Sequence, residues 1–285
     1  MEVSQLAAQL KYVEANGCTL SIEERTRLDL AIECLRADLP AHAGELYFWG
    51  KIRGTIRDYY IVFYYGRSRP ETASAVPPKH HFWCSSTNFT FSKLAVPSAE
   101  ACEKLGNLTN LFSGEFDSVL VESNDAPQVI DAAAGIILPP KHLTEMDRLA
   151  VVVKQIDEQC SCVPKGSFKC TPTKNVCANE GFRGLNVEQS CDLSNWQHLR
   201  AIKLEKNKNL VARDEQVYND EFLDDLSCDK PLKCWSVLKD TTGSVAILRS
   251  QLWPGFFAYH RANTPVHGSV YMGEGIQNVC LPFML

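Results

Sequence analysis

The sequence predicts an α+β fold: a predominantly antiparallel β-sheet with a C-terminal meander, short N-terminal helices and a few helices in the second half. Three observations carry the expectation. Residues 45–65 are dense in aromatic and β-branched side chains and broken only by turn residues. From residue 235 onward, apolar runs of about four to eight residues each close on a turn signal, which is how a meander reads. Apart from a short capped segment near residue 100, helical spacing of apolar residues is confined to short stretches before Pro40 and beyond Asn186.

The chain has 285 residues, enough to bury roughly 75% of the surface its unfolded form exposes. Its 45% hydrophobic and 22% charged content is that of a globular protein, and a single domain over 1–285 is expected, with an irregular insertion at about 67–144. A net charge of −5 without a clustered Lys/Arg block argues against a nucleic-acid binder held by phosphate contacts. The N-terminal residues lack the basic and apolar regions of a secretory signal. No apolar run reaches the roughly 20 residues that span a bilayer, so neither a membrane nor a nucleic acid is an expected partner.

Taken in order, Leu6, Leu10 and Val13 form one stripe that Asn16-Gly17 closes with C-cap chemistry. Ser21 and Glu24 make a capping box, and Leu28, Ala31, Ile32 and Leu35 then line one face until Pro40. Residues 45–65 predict two strands, with Gly50 and Gly54 interrupting them and marking a bulge or a close backbone approach, and Arg57-Asp58 a reversal. Tyr59, Tyr60, Tyr64 and Tyr65 bring so many hydroxyls that part of this sheet is expected at a surface or interface, where edge strands attract partners. A hairpin over 80–94 turns at 85–88, and Ser98 caps a short helix over 99–105. Residues 148–157 predict a buried strand. Helices are predicted over 187–198, entered through an Asn186/Gln189 capping box, and over 214–226, with Asp220, Glu221, Asp224 and Asp225 facing water. Asp240–Gly243 closes a hairpin between 235–239 and 244–250; after the Trp253-Pro254-Gly255 break, residues 256–260 pair with 269–272. Trp253 is expected to be buried, and the apolar ending 281–285 to be docked.

Twelve cysteines, five of them from Cys160 to Cys191, show no C-x2-C pair and no His at ligand spacing, so reduced, buried thiols and no metal or cofactor are expected. Phosphate-binding loops, zinc-protease and nucleophile-elbow motifs are absent. The catalytic alternative is a cytosolic thiol-dependent enzyme or metal-binding protein using the cluster from Cys160 to Cys191.

A resemblance joins these readings. Phe48-Trp49-Gly50 followed by Asp58-Tyr59-Tyr60, then Arg249 with Trp253-Pro254-Gly255, and the ending with Pro282, Phe283 and Leu285, are similar to the radial spoke head protein nine family. The resemblance implies a non-enzymatic structural subunit of the spoke head in the axoneme of motile cilia and flagella. It would stand beside the related radial spoke head proteins four and six, with indirect contact to central-pair projections, and those motif residues would be structural or interface positions.

Overall fold

The computed structural model describes residues 1–40, 43–66, 76–122, 128–131, 136–138, 142–171, 175–212 and 222–284. Its centre is an eight-stranded sheet made of two four-stranded meanders, one from each end of the chain.

The chain enters through α1 (Leu6–Leu10) and α2 (Ile22–Asp38). Gly17, at φ +79, ends the first helical segment, and the Ser21/Glu24 capping box opens α2 as its sequence demands. The first meander is β1 (Leu46–Ile52), β2 (Tyr59–Tyr65), β3 (Lys79–Ser85) and β4 (Ser92–Lys93), followed by α3 (Ala99–Leu105), whose N-cap Ser98 accepts the Ala101 amide at 3.1 Å. Short pairs follow: β5 (Val119–Val121) with β8 (Leu143–Thr144), and β6 (Gln128–Asp131) with β7 (Ile136–Leu138). Then come α4 (Glu145–Cys160), β9 (Cys162–Pro164), β10 (Phe168–Cys170), β11 (Val176–Ala178), α5 (Val187–Ser190), β12 (Trp196–His198) and α6 (Glu205–Ala212). The second meander is β13 (Trp235–Lys239), β14 (Val245–Ser250), β15 (Phe256–Arg261) and β16 (His267–Gly273). Both predicted hairpins of this meander form.

The strand order β13-β14-β15-β16-β1-β2-β3-β4 puts one parallel junction, β16 beside β1, between two antiparallel halves. At that junction Gly50 lies opposite Tyr271, with φ +151 and a register shift between Phe48 and Gly50. A Cβ there would sit 2.0 Å from the Tyr271 carbonyl oxygen. The glycine thus supplies both the bulge and the close approach its position suggested.

Strand alternation divides β2 between two cores. Tyr59, Ile61, Phe63 and Tyr65 face the layer that holds α4, together with Trp49, Trp196, Trp235 and Trp253. Tyr60, Val62 and Tyr64 face α1 and α2, where Leu10, Leu28, Ile32 and Leu35 are buried. β1 and β2 are therefore central strands, not the edges expected, and the sheet ends instead on β13 and β4. Among the described residues, two of the four tyrosine hydroxyls of this strand find partners inside the chain. Tyr59 donates to Glu145 at 2.7 Å and Tyr60 to Glu24 at 2.5 Å, while Tyr259 donates to Gln9 at 2.7 Å. For Tyr59 and Tyr60, carboxylates on the flanking helices meet the need that had been assigned to a surface.

Three predicted elements are corrected. Residues 148–157 lie in helix α4, not in a strand. An unbroken apolar run cannot by itself distinguish the two; here Thr144 and Asp147 form a capping box, and the helix is buried on several sides because it is packed between the sheet and α3. The helix entered at Asn186 stops at Ser190. Asn195 Nδ2 and Trp196 Nε1 take the carbonyls of Gln189 and Ser190, each at 3.0 Å, and the chain turns into β12, which pairs with β9. Of the acidic helix over 214–226, residues 214–221 lie outside the described residues. Asp224 is buried rather than solvated, accepting from the Lys203 amide at 2.7 Å, from Asn207 at 3.0 Å and from Arg200 at 3.0 Å.

Candidate functional site

The residues singled out in the sequence separate into packing positions and a small exposed set. Phe48, Tyr59 and Tyr60 are buried, as is Trp49. Asp58 accepts the Gly54 amide at 3.1 Å and pairs with Lys51 at 2.8 Å, holding the β1–β2 reversal. Trp253 is 1% exposed. Gly255, at φ +101, brings its backbone against β16, where a Cβ would stand 2.6 Å from the Met272 carbonyl oxygen. Arg249, Pro254 and Pro282 are exposed, Phe283 is 90% exposed, and Leu285 lies outside the described residues.

The C-terminal half of α4 ties the buried motif residues together. Trp49 Nε1 donates to Asp157 Oδ1 at 2.9 Å, Lys79 Nζ reaches the same oxygen at 3.0 Å, and His81 Nε2 meets Oδ2 at 3.0 Å. Burial alone would raise the Asp157 pKa; the adjacent Lys79 charge and the His81 and Trp49 bonds outweigh it and hold the carboxyl well below the usual range. Two residues on, the Gln159 side-chain oxygen accepts from Trp253 Nε1 at 2.8 Å and from Gln277 Nε2 at 3.2 Å. At the other end of the helix, the Glu145 carboxylate accepts from Tyr59, from Ser113 Oγ and from the Ser113 and Gly114 amides, at 2.7 to 2.8 Å. Arg148 donates to the carbonyls of Leu108 and Asn110 and lies 4.3 Å from the Phe112 ring centre. Sequence reading passed over Arg148 and Asp157 because it placed residues 148–157 in a strand, and over Glu145 and Gln159 because they fall just outside that run. The signal that would have exposed them is the Thr144-x-x-Asp147 cap followed by Leu149, Val152, Val153, Ile156 and Cys160 at helical spacing.

The carboxyl end is anchored and exposed at once. Leu281 is buried in the α4-side core, and Asn278 N donates to Leu252 O at 2.8 Å, fastening the segment to the Trp253 turn. Beyond this anchor Phe283 and Met284 stand 90% and 71% exposed, with Val279 at 62%. The expected docking therefore stops at Leu281. Beside this hook a groove of about 550 Å³ runs between Leu252, Pro231, Gln159 and Lys230. Apolar side chains held outward on a tethered backbone beside a groove are suited to contact with another protein surface.

Two thiols of the candidate cluster lean the other way from catalysis. Cys160 and Cys162 are buried, and burial pushes both well above the ordinary thiol range, the reverse of what a thiolate nucleophile needs. Among the described residues no cluster of His, Cys, Asp or Glu gathers at metal-binding geometry, and no helix is long and apolar enough to cross a membrane.

Fold and site together define an α+β chain whose motif residues mostly lock a sheet to one central helix, and whose unburied apolar residues include a cluster at the carboxyl end. A family profile described as "Radial spokehead-like protein" matches residues 1–73. Over their full lengths, with 100% of both chains covered, the chain is 32% identical to the radial spoke head protein 9 homolog of Danio rerio, 30% to that of Mus musculus and 29% to that of Homo sapiens. The chain belongs to the radial spoke head protein 9 family.

Proposed function

We propose that this chain is a non-enzymatic structural subunit of the radial spoke head, resident in the axoneme of motile cilia or flagella, where it supports spoke assembly and the mechanical regulation of beating. The observation that carries this reading is the end-to-end match to relatives that bear the radial spoke head name. The anchored hook of Val279, Phe283 and Met284 is the surface we assign to contact with neighbouring subunits of the radial spoke head four and six type, with the central-pair projections reached indirectly. A permanent assembly contact requires more than about 800 Å² per partner, so the hook would serve as an anchor inside a larger footprint.

The test is retention in detergent-extracted axonemes. A tagged chain is expected to stay with the axoneme in cells lacking the endogenous protein and to restore spoke heads. Release into the detergent-soluble fraction, with spokes unchanged whether or not the chain is present, would overturn the assignment. The thiol-enzyme alternative predicts a cysteine with accelerated alkylation near neutral pH, measured by mass spectrometry on the folded protein.

A further inference from the structure

In an antiparallel pair, only alternate residues turn their backbone groups toward a given neighbour. β13 pairs with β14 so that Trp235 lies opposite Ser250 and Lys239 opposite Ala246. Two hydrogen bonds fix the phase: Asp240 N to Val245 O at 3.0 Å and Gln251 N to Cys234 O at 2.8 Å. Cys234, Ser236, Leu238 and Asp240 therefore address β14. Trp235, Val237 and Lys239 turn their N–H and C=O groups away from the sheet. β13 is a terminal strand, and among the described residues nothing hydrogen-bonds these outward groups. No proline or bulge interrupts the strand; Lys239 is its one charged residue.

We infer that β13 is a strand-pairing edge whose occupant is β13 of a second copy of this chain, the two strands running antiparallel about a two-fold axis at Val237. The open positions are symmetric about that residue, so a two-fold pairs Val237 with itself and Trp235 with Lys239 of the other copy, satisfying every outward group at once. The side chains agree with that register. Lys239 of one copy comes beside Trp235 of the other, whose Nε1 donates to Asp229 at 2.8 Å; the Asp229 carboxylate keeps 20% exposure, so the cation meets an opposite charge. On the opposite face, Leu238, 41% exposed in the single chain, faces Ser236 and comes diagonally within reach of the other Leu238. Just beyond the strand, Lys233 of one copy lies within a residue of Asp240 of the other. An unrelated extended segment would gain the same backbone bonds but not this reciprocal charge and apolar match.

The test uses the purified full chain. Sedimentation at tens of micromolar is expected to show a dimer for the wild type and a monomer for Val237→Pro, because the N–H that proline deletes points outward and takes no part in β14 pairing. Lys239→Glu, which sets like charge against Asp229, is expected to weaken the dimer at least tenfold and to do so less in high salt. Cross-linking keeps the proposal testable should the proline variant fail to fold. With the exposed Cys34, Cys228 and Cys280 changed to serine, Val237→Cys places two thiols on residues whose Cα atoms are about 5.5 Å apart, within the disulfide range of about 4.4–6.8 Å. Oxidation is expected to yield a covalent dimer with Val237→Cys and at least tenfold less with Leu238→Cys. A monomeric wild type, a dimer untouched by both Val237→Pro and Lys239→Glu, or equal cross-linking at 237 and 238 would overturn the proposal.

Discussion

Replacing Trp253 with alanine would remove a side chain that is 1% exposed and joins the end of β14 to helix α4. The loss has two parts. Truncating a fully buried aromatic costs about 3–5 kcal/mol through lost transfer energy and the cavity left behind. The indole also donates to Gln159 Oε1 at 2.8 Å, but that oxygen retains Gln277 Nε2 at 3.2 Å, so breaking the bond adds only about 1 kcal/mol. Trp253→Phe separates the parts, since it keeps most of the volume and loses the donor. For a chain of this size each kcal/mol lowers Tm by roughly 2–4 °C, so the two parts together give a fall on the order of 8–24 °C for the alanine variant and a few degrees for phenylalanine. Urea titration with an unchanged slope would confirm that the native state alone was weakened. An alanine variant that loses less than about 1 kcal/mol would refute the view that Trp253 fastens the meander to the helix.

Gly50→Ala drives a methyl carbon to 2.0 Å from the Tyr271 carbonyl at the parallel junction, and a loss on the order of 3 kcal/mol is expected by calorimetry, with most of the damage between β1 and β16. Glu145→Ala leaves the Tyr59 hydroxyl and the Ser113 and Gly114 amides without their acceptor, and should cost at least about 3 kcal/mol in denaturant titration. Acid should weaken the fold partly through Glu24. Burial would raise its pKa, but bonds from Lys51, Tyr60 and the Ser21 amide lower it from 4.5 to about 2. Because the folded value is depressed, this contribution is complete above the ordinary value and disappears as pH falls from about 4.5 toward about 2. Glu24→Gln should flatten that limb of the Tm–pH profile without abolishing it, since the depressed Asp157 carboxyl remains. Phe283→Asp should leave Tm within a degree or two, as a surface change does, yet reduce retention in axonemes; deleting 281–285 should destabilise as well, because it takes away buried Leu281.

Local chemistry was legible wherever one residue type has few ways to satisfy its backbone. The Ser21/Glu24 box, the Ser98 cap, the Gly17 stop, the turns at 240–243 and 253–255 and the bulge at Gly50 each stand where their residues put them. The pairing of 256–260 with 269–272 follows from the same logic, because a short reversal leaves adjacent runs little choice of partner. The burial of Trp253 was legible too.

Three things turned on tertiary structure. The apolar run of residues 148–157 taken by itself fits a strand or a buried helix equally well; the Thr144/Asp147 cap is the local sign of a helix, but only a site enclosed by the sheet on one side and α3 on another rewards burying it all round. The hydroxyl-rich strand β2 went to the centre of the sheet because Glu145 and Glu24, distant in sequence, arrive within hydrogen-bond reach once α4 and α2 have packed. The choice of sheet edges was likewise a long-range matter, since the β1–β16 contact joins the two ends of the chain. Turn and cap preferences act over a few residues and are written in the sequence. Strand order and the fate of buried polar groups depend on which distant surfaces meet, a choice that no local pattern encodes.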